Sequence, residues 1–346
     1  MSCVQEGQLE KKRKGLSRLS YLQSRGLEYL LTISVILGLN FLLPRLMPGD
    51  PFHYLSGVGA SSDLATTMDA KTEAILRAYY GLEKPLWEQF FHYLQNLFQG
   101  NLGYAYYFKA PVAQLIAERL PWSLLLVISS IFIASLLGIA VGVFSAWRRG
   151  TAWDTGCWAV FLSLRAVPTF FLGTLLLLFL SFHSNLFPLF GAYSIEHLES
   201  AWSVRLKDIL WHLTLPVLTL TLAEMTGKYL LTRGAMLDTL EEDYIAFARA
   251  RGMEENQIMY KHALPNALLP VVTQIALRLG MAAAGMIYVE TIFGYPGMGK
   301  LMQDALAVRD FQVLQGAFLI TSMMVLALNF LLDLFYVYLD PRVEVR

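Results

Sequence analysis

Residues 121–147 read Pro-Trp-Ser-Leu-Leu-Leu-Val-Ile-Ser-Ser-Ile-Phe-Ile-Ala-Ser-Leu-Leu-Gly-Ile-Ala-Val-Gly-Val-Phe-Ser-Ala-Trp, without one charged side chain from Pro121 to Trp147. A bilayer core of about 30 Å takes roughly 20 apolar residues in a helix, so this stretch is long enough to cross it. The whole chain of 346 residues agrees. Hydrophobic residues make up 55% and charged residues 16%, against a usual charged share of about 25%, and mean hydropathy is +0.47. A soluble fold could not hide that much apolar surface, so the expected class is an all-α polytopic membrane protein. Lys+Arg and Asp+Glu are 27 each, for a net charge of +0. This excludes a basic nucleic-acid binder and an acidic disordered chain. Cys3 and Cys157 match no metal spacing and no disulfide framework.

Working outward from residues 121–147, five more stretches have the length and character of spans: Tyr29–Met47, Cys157–Phe182, Ile209–Leu231, Asn266–Val289 and Phe311–Leu339. The first is too long, and lacks a small-residue cleavage site, for a removable signal peptide. Charges sit inside several of them: Arg165 in the third span, Glu224 and Lys228 in the fourth, Arg278 in the fifth, Asp333 in the sixth. An ionisable group at this depth faces a cavity or a partner, so Glu224, Lys228 and Arg278 are candidates for a substrate pathway. Glu224 and Lys228 also have the favourable i, i+4 order for an ion pair, and mutual neutralisation is the competing reading. Gly138-x-x-x-Gly142, and Gly280, Ala284 and Gly285, would let spans approach closely. Lys and Arg concentrate in the segments joining spans two to three and four to five and near both termini, which places both termini in the cytoplasm. The expected organisation is a cytoplasmic segment 1–28, a first span 29–47, an external helical piece 48–118, a five-span core 119–340 and a tail 341–346.

The external piece opens on a turn cluster, Pro48-Gly49-Asp50-Pro51. A helix is expected over Asp69–Tyr80. Pro85 then starts another, in which Leu86, Trp87, Phe90, Phe91, Leu94, Leu97 and Phe98 recur at helical spacing until Gly100. The inner segment 232–265 is more structured than a turn needs. Asp238 with Glu241 has capping-box spacing and predicts a helix running to Arg251 and stopped at Gly252. A second short helix is expected from Glu254 to Leu264, ended by Pro265. Capped helices in the cytosol imply a docking surface.

Gly294-Tyr-Pro-Gly-Met-Gly299-Lys300-Leu301 fits a phosphate-binding loop as far as the lysine. Leu301 has no hydroxyl for Mg²⁺, and the preceding segment is a membrane helix rather than a strand. A Gly/Pro turn returning the chain to the bundle is the reading adopted. His53, His92, His183, His197, His212 and His262 show no paired metal spacing, and no nucleophile or metalloprotease motif is present.

The inner segment from Asp243-Tyr-Ile-Ala-Phe-Ala-Arg-Ala-Arg-Gly252 to His262-Ala-Leu264-Pro265 resembles the EAA loop of ABC-importer permeases, most closely the dipeptide/oligopeptide/nickel branch. Further matches follow in order: Pro48-Gly49-Asp50-Pro51, Tyr80-Gly81-Leu82 with Lys84-Pro85, Gly100-Asn101-Leu102-Gly103, Arg119-Leu120-Pro121, and Pro168-Thr169-Phe170 with Gly173. Glu290-Thr-Ile-Phe-Gly294-Tyr-Pro296-Gly297-Met-Gly299, Asn329 through Asp333, and Asp340-Pro341-Arg342 complete the series. The resemblance implies the six-helix type I permease fold in a bacterial inner membrane. It also implies a homologous second permease, two cytosolic ATPase subunits that alone hold ATP and Mg²⁺, and an extracytoplasmic binding protein. This chain would then bind no cofactor and be no enzyme. The coupling residues implied are Glu242, Asp243, Ala246, Ala248, Arg249, Arg251, Gly252, Leu264 and Pro265. Those implied for the structural motifs are Asp50, Gly294, Pro296, Gly297, Gly299, Asp333 and Asp340. Ala246 stands where the loop's eponymous Glu would be, so polar contacts to the ATPase would fall to Glu242, Asp243, Arg249 or Arg251. Peptides are the commonest cargo of the branch, with nickel or another small solute as the alternative. An ion-coupled secondary transporter would call for an internal repeat with paired broken helices, and none is visible.

Overall fold

The computed structural model describes residues 26–42, 45–46, 84–105, 107–197 and 199–339, and the side chains of residues 276–286 and 332–339 lie outside that description. The expected helix Asp69–Tyr80, the turn at Asp50, the tail from Asp340, and the side chains of Arg278, Ala284 and Asp333 therefore lie outside it too. The chain divides into two compact units, Gln114–Asp304 and the two flanking segments together.

The flanking segments supply α1 (Gly26–Leu42), α2 (Leu86–Phe98), a short antiparallel pair β1 (Tyr104–Ala105) and β2 (Ala110–Pro111), and a C-terminal helix, Phe311–Leu339. Pro85 precedes α2 in an extended conformation and Gly100 leaves it at φ 73°, so this helix begins and ends as its sequence predicts. Its Phe90 and Tyr93 pack on Phe41, with ring centroids 5.1 and 5.8 Å away. Asn40 Nδ2 donates to Tyr93 Oη at 3.0 Å and to the Gln315 carbonyl at 2.9 Å. Burial pushes the Tyr93 phenol above its ordinary pKa, which keeps it neutral as an acceptor for Asn40. Trp87, Phe91 and Phe98 remain exposed along the other side, as suits a helix lying at a membrane surface.

The larger unit is built on long helices. They are α3 (Val112–Trp147), which starts just ahead of the unit boundary, α4 (Ala152–Ala166), α5 (Thr169–Leu176), α6 (Trp202–Leu240), α7 (Asp243–Ala250), α8 (Glu255–Gln257) and α9 (Leu264–Ile292). After Phe293–Gly297, α10 (Met298–Ala307) begins, and Phe311–Leu339 is α11. Among the described residues, α3, α6 and the 311–331 part of α11 are long and apolar enough to cross a membrane. At 1.5 Å per residue, α3 and α6 outrun a bilayer core and project beyond it. Along α3, Ser130 and Ser135 donate to the carbonyls of Leu126 and Ile131 at 2.6 Å, so their hydroxyls need no outside partner in hydrocarbon.

The expected third span is not one rod. Ala152–Ala166 and Thr169–His183 pass as a fourth span only together, bent by 102°. Val167 sits at ψ 120° before Pro168, because the proline ring disfavours the helical region for its predecessor. The helix resumes as α5 and widens into a π segment, Leu177–His183.

Two further boundaries differ from the sequence reading. α6 does not stop near Leu231 but runs to Leu240. Asp238 lies in its last turn, its carbonyl accepting from Glu241 N at 3.2 Å, and caps nothing. The break comes at Glu242, which is extended and leads α7 without a side-chain cap. Pro265 does not end a helix either. It sits in the first turn of α9, where a missing N–H is tolerated, directly after a π segment, Ile258–Ala263.

α3 lies against α6 backbone to backbone. A Cβ on Gly138 would come within 2.9 Å of the Met225 carbonyl, and one on Gly142 within 2.8 Å of Thr232 Cβ and 3.0 Å of the Tyr229 carbonyl. Two apolar clusters flank this crossing. Leu126, Leu213, Leu215, Leu220, Val289, Phe293 and Tyr295 form one. Val143, Ala146, Met236, Ile245, Ala248, Ile258, Met259 and Ala263 form the other. Leucine at Gly142 must push α3 and α6 apart, so a loss of about 1–3 kcal/mol is expected, read as a lowered melting temperature of the purified chain. Gly234→Ala, where an added Cβ meets nothing within 4 Å, is the control that should melt normally.

Candidate functional site

The segment after α6 builds a lever with two different faces. Glu242 breaks α6, α7 follows, and Gly252 closes it at φ 72°. Gly252 N donates to the Arg249 carbonyl at 2.9 Å and Met253 N to the Ala248 carbonyl at 3.3 Å. This pair of bonds is the Schellman closure, with glycine in the left-handed position it requires. One side of α7 is locked down. Ile245 is 0% exposed and Ala248 6%, packed with Val143 and Ala146 of α3, Met236 of α6, and Ile258, Met259 and Ala263 of the π segment. The other side points outward with Phe247 at 70% exposure and Tyr244 at 40%.

Of the coupling residues expected, Glu242, Asp243, Ala246, Arg249, Arg251, Gly252 and Pro265 lie on the exposed side. Ala248 and Leu264 face the inner cluster instead, because the 3.6-residue period puts Ala248 on the same stripe as Ile245. Arg249 is held by Glu255, with Nε 3.2 Å from Oε1. The most prominent apolar group on the lever is Phe247, which the search for polar contacts passed over. Its position, two residues after a buried Ile and one before a buried Ala, was the available signal.

A buried polar network fastens the base of this lever. Asp154 of α4 accepts from Arg233 of α6 through both oxygens, at 2.7 Å from Nε and 2.8 Å from Nη2. It also accepts from Ser145 Oγ at 2.5 Å and Gly150 N at 3.1 Å. Ser145 Oγ shares a hydrogen bond of 2.9 Å with Tyr229 Oη, whose ring stacks on Phe161 at 4.2 Å. The sequence signal was Thr151-x-x-Asp154, a helix-start spacing, with Asp154 N donating to Thr151 Oγ1 at 3.3 Å.

Glu224 and Lys228 form the i, i+4 pair that their order predicts, Lys228 Nζ donating to Glu224 Oε2 at 3.0 Å. Lys228 is 2% exposed and Glu224 32%. Both line a cavity of about 490 Å³ with Arg165, Thr169, Thr226 and Gln274, at the level of the Pro168 bend. Pairing and cavity lining are therefore both realised here.

The glycine-rich turn cradles a carboxylate of its own chain. Glu290 is fully buried, accepting from Ser123 Oγ at 2.6 Å and from Lys300 N at 3.1 Å, while Ser123 Oγ accepts from Met298 N at 2.7 Å. A Cβ on Gly297 would overlap the Glu290 carboxylate, and one on Gly299 would lie 2.6 Å from Ile287 Cα. Gly294 adopts φ 56°. The backbone N–H groups that would hold a phosphate in a nucleotide site are occupied by Glu290. Pro296 stands beside them at the rim of a second cavity, with Arg119 and Trp122. Among the described residues, no group of three or more His, Cys, Asp or Glu could hold a metal ion.

Residues 138–345 match the family described as the binding-protein-dependent transport system inner membrane component. The chain belongs to that family. Like its curated relatives it is a permease subunit of an ABC importer, and ATP hydrolysis belongs to separate subunits. The chain is 36% identical to the oligopeptide transport system permease protein AppB of Bacillus subtilis (strain 168), over 91% of this chain and 97% of that one. It is 34% identical to the dipeptide transport system permease protein DppB of Escherichia coli (strain K12), over 88% and 93%. It is 35% identical to the glutathione transport system permease protein GsiC of Pectobacterium atrosepticum, over 95% and 100%. The fold is also similar to a chain of the inward-facing MetNI methionine ABC transporter, with a TM-score of 0.53 at 17% identity, over 66% of this chain and 97% of that one.

The permease can be tested at its buried ion pair. Glu224→Gln leaves the Lys228 ammonium buried with its carboxylate partner neutralised. A loss of about 3 kcal/mol is expected, the low end for breaking a buried pair because Glu224 is partly exposed. Glu224→Gln with Lys228→Met should recover most of it in thermal denaturation of the detergent-purified permease. Equal melting of the single and double variants would show that the pair carries no stability.

Proposed function

We propose that this permease forms half of a peptide-import pathway, with a homologous permease as the other half and two cytosolic ATPase subunits driven against α7. The observation that carries the coupling role is the two-faced lever, with Ile245 and Ala248 locked into the bundle and Phe247 presented outward. The exposed tip supports an apolar plug seated in a cleft of the ATPase, with Arg251 and Asp243 as polar rim. This replaces the glutamate contact that Ala246 cannot make. The peptide reading rests on relatives named for oligopeptide, dipeptide and glutathione transport. The cavity at Glu224, Lys228 and Arg165 supports it chemically, since it offers both signs of charge to a zwitterion. ATP and Mg²⁺ belong to the partner subunits, and an extracytoplasmic binding protein delivers the cargo. The basic residues near the α3–α4 turn and α7 put that end of the bundle in the cytosol.

Gly252 and Phe247 test the docking. An added Cβ at Gly252 meets nothing within 4 Å of its own chain, so a large side chain there projects toward a partner. Its left-handed backbone costs about 1 kcal/mol with any Cβ. Gly252→Trp and Phe247→Ala should leave the permease inserted while lowering co-purification of the ATPase and peptide-stimulated ATP hydrolysis. Wild-type co-purification and transport in both would mean that the ATPase docks elsewhere.

Orientation has its own test. In a background lacking Cys3 and Cys157, a cysteine at exposed Glu255 should resist an impermeant thiol reagent in intact cells, whereas one at exposed Gln99 should react. Labelling at 255 from outside would reverse the topology.

A further inference from the structure

We propose that Asp154 is a positioning residue for coupling, acting through Arg233 to make the α3–α4 turn and α4 move with the lever. The proposal rests on the ATPase docking at α7 described above. α7 is joined to the bundle by apolar contacts, which resist separation but allow sliding, since dispersion and burial carry no direction. The Asp154–Arg233 pair is different. Two parallel hydrogen bonds of 2.7 and 2.8 Å fix both distance and angle between α4 and α6.

The rest of the network makes the attachment rigid. The carboxylate receives four donors, from Arg233 twice, Ser145 and Gly150, so it has no slack to rotate. Ser145 and Tyr229 are fully buried, and Tyr229 stacks on Phe161 one helix away. Gly142 keeps α3 close enough for these bonds, its missing side chain facing Thr232 and Arg233. A second pair, Arg149 Nη1 to Glu241 Oε1 at 2.8 Å, ties the same turn to the end of α6, but both partners are largely exposed. Such a surface pair is worth about 0–1 kcal/mol, so the buried one carries the constraint.

Geometry then says where the motion goes. Arg233 lies two turns before the end of α6, whose last residue Leu240 is separated from α7 only by Glu241 and Glu242. Asp154 lies in the first turn of α4, whose far end is the Val167–Pro168 bend. A push on α7 that tilts the end of α6 is thus delivered to α4 as a pull at Asp154, and from there to the bend beside the cavity of Glu224 and Lys228.

The test uses the whole transporter, with ATPase subunits, partner permease and binding protein, reconstituted in liposomes. Transport and ATP hydrolysis are measured together. Asp154→Asn should leave ATPase co-purification unchanged but lower peptide transported per ATP at least about five-fold, the scale of an ordinary coupling energy. Arg233→Lys, which keeps the charge and gives up the two-pronged geometry, should fall between it and the wild type, and Arg149→Ala should change nothing. If Asp154→Asn does not assemble, Arg233→Lys and Ser145→Ala carry the same readout at lower risk. A constant ratio of transport to hydrolysis in every assembled variant would overturn the proposal and leave the network purely structural. Loss of ATPase association in Phe247→Ala and Asp154→Asn alike would also overturn it. Failure of the docking reading itself looks different: Phe247→Ala would then bind ATPase normally.

Discussion

The closeness of α3 and α6 at Gly138 and Gly142 is the constraint on which the permease core depends. A side chain at either glycine would meet backbone atoms at about van der Waals overlap, so the two helices lie as near as two helices can. In hydrocarbon, association is driven by such packing and by hydrogen bonds rather than by apolar burial. The crossing therefore sets what else can form. It brings Ser145 to Tyr229, Asp154 to Arg233, and Val143 and Ala146 to the underside of α7. Each contact lies within two turns of the crossing, and separating the helices by an ångström would stretch bonds of 2.5–2.9 Å past useful length.

Features with local causes were legible in the sequence. An uncharged run from Pro121 to Trp147 leaves one fate in water. The turn at Gly252 needs a residue that accepts positive φ, and the start of α2 needs a proline and a helical stripe. The Glu224–Lys228 pair is four residues apart on one helix. What could not be read depended on distance along the chain or on competition between signals. Asp154 and Arg233 are 79 residues apart, and nothing near either names the other. Asp238 with Glu241 carried a genuine cap pattern, but α6 arrives already helical and its own hydrogen bonds outcompete a fresh start. Phe247 is an ordinary aromatic in the string and gains meaning only because its neighbours on the stripe are buried.

The glycine-rich turn shows the same logic in chemistry. A run spaced like a phosphate-binding loop has the same backbone need, convergent N–H groups around an anion. Here the anion is a glutamate supplied by the end of the preceding helix, and Ser123 bridges it to Met298. The glycines are required because the carboxylate occupies the space their side chains would fill. Tyr295, beside it, has its phenol pushed up by burial and then by the Glu290 charge, so no second anion competes within the turn.

The two π segments, Leu177–His183 and Ile258–Ala263, carry a consequence for how this chain tolerates change in length. Each turn of that kind holds one residue more than the α-helix around it, and one residue corresponds to about 100° of helical phase. Removing a single residue from 258–263 would not merely shorten the chain. It would rewind the segment to α geometry and rotate all of α9 about its axis relative to α7. The stripe carrying Ala267 and Val271 would leave the core, and a new set of side chains would face α6. Residue number in these two turns therefore acts as an angular setting, and substitutions there are tolerated on different terms from deletions.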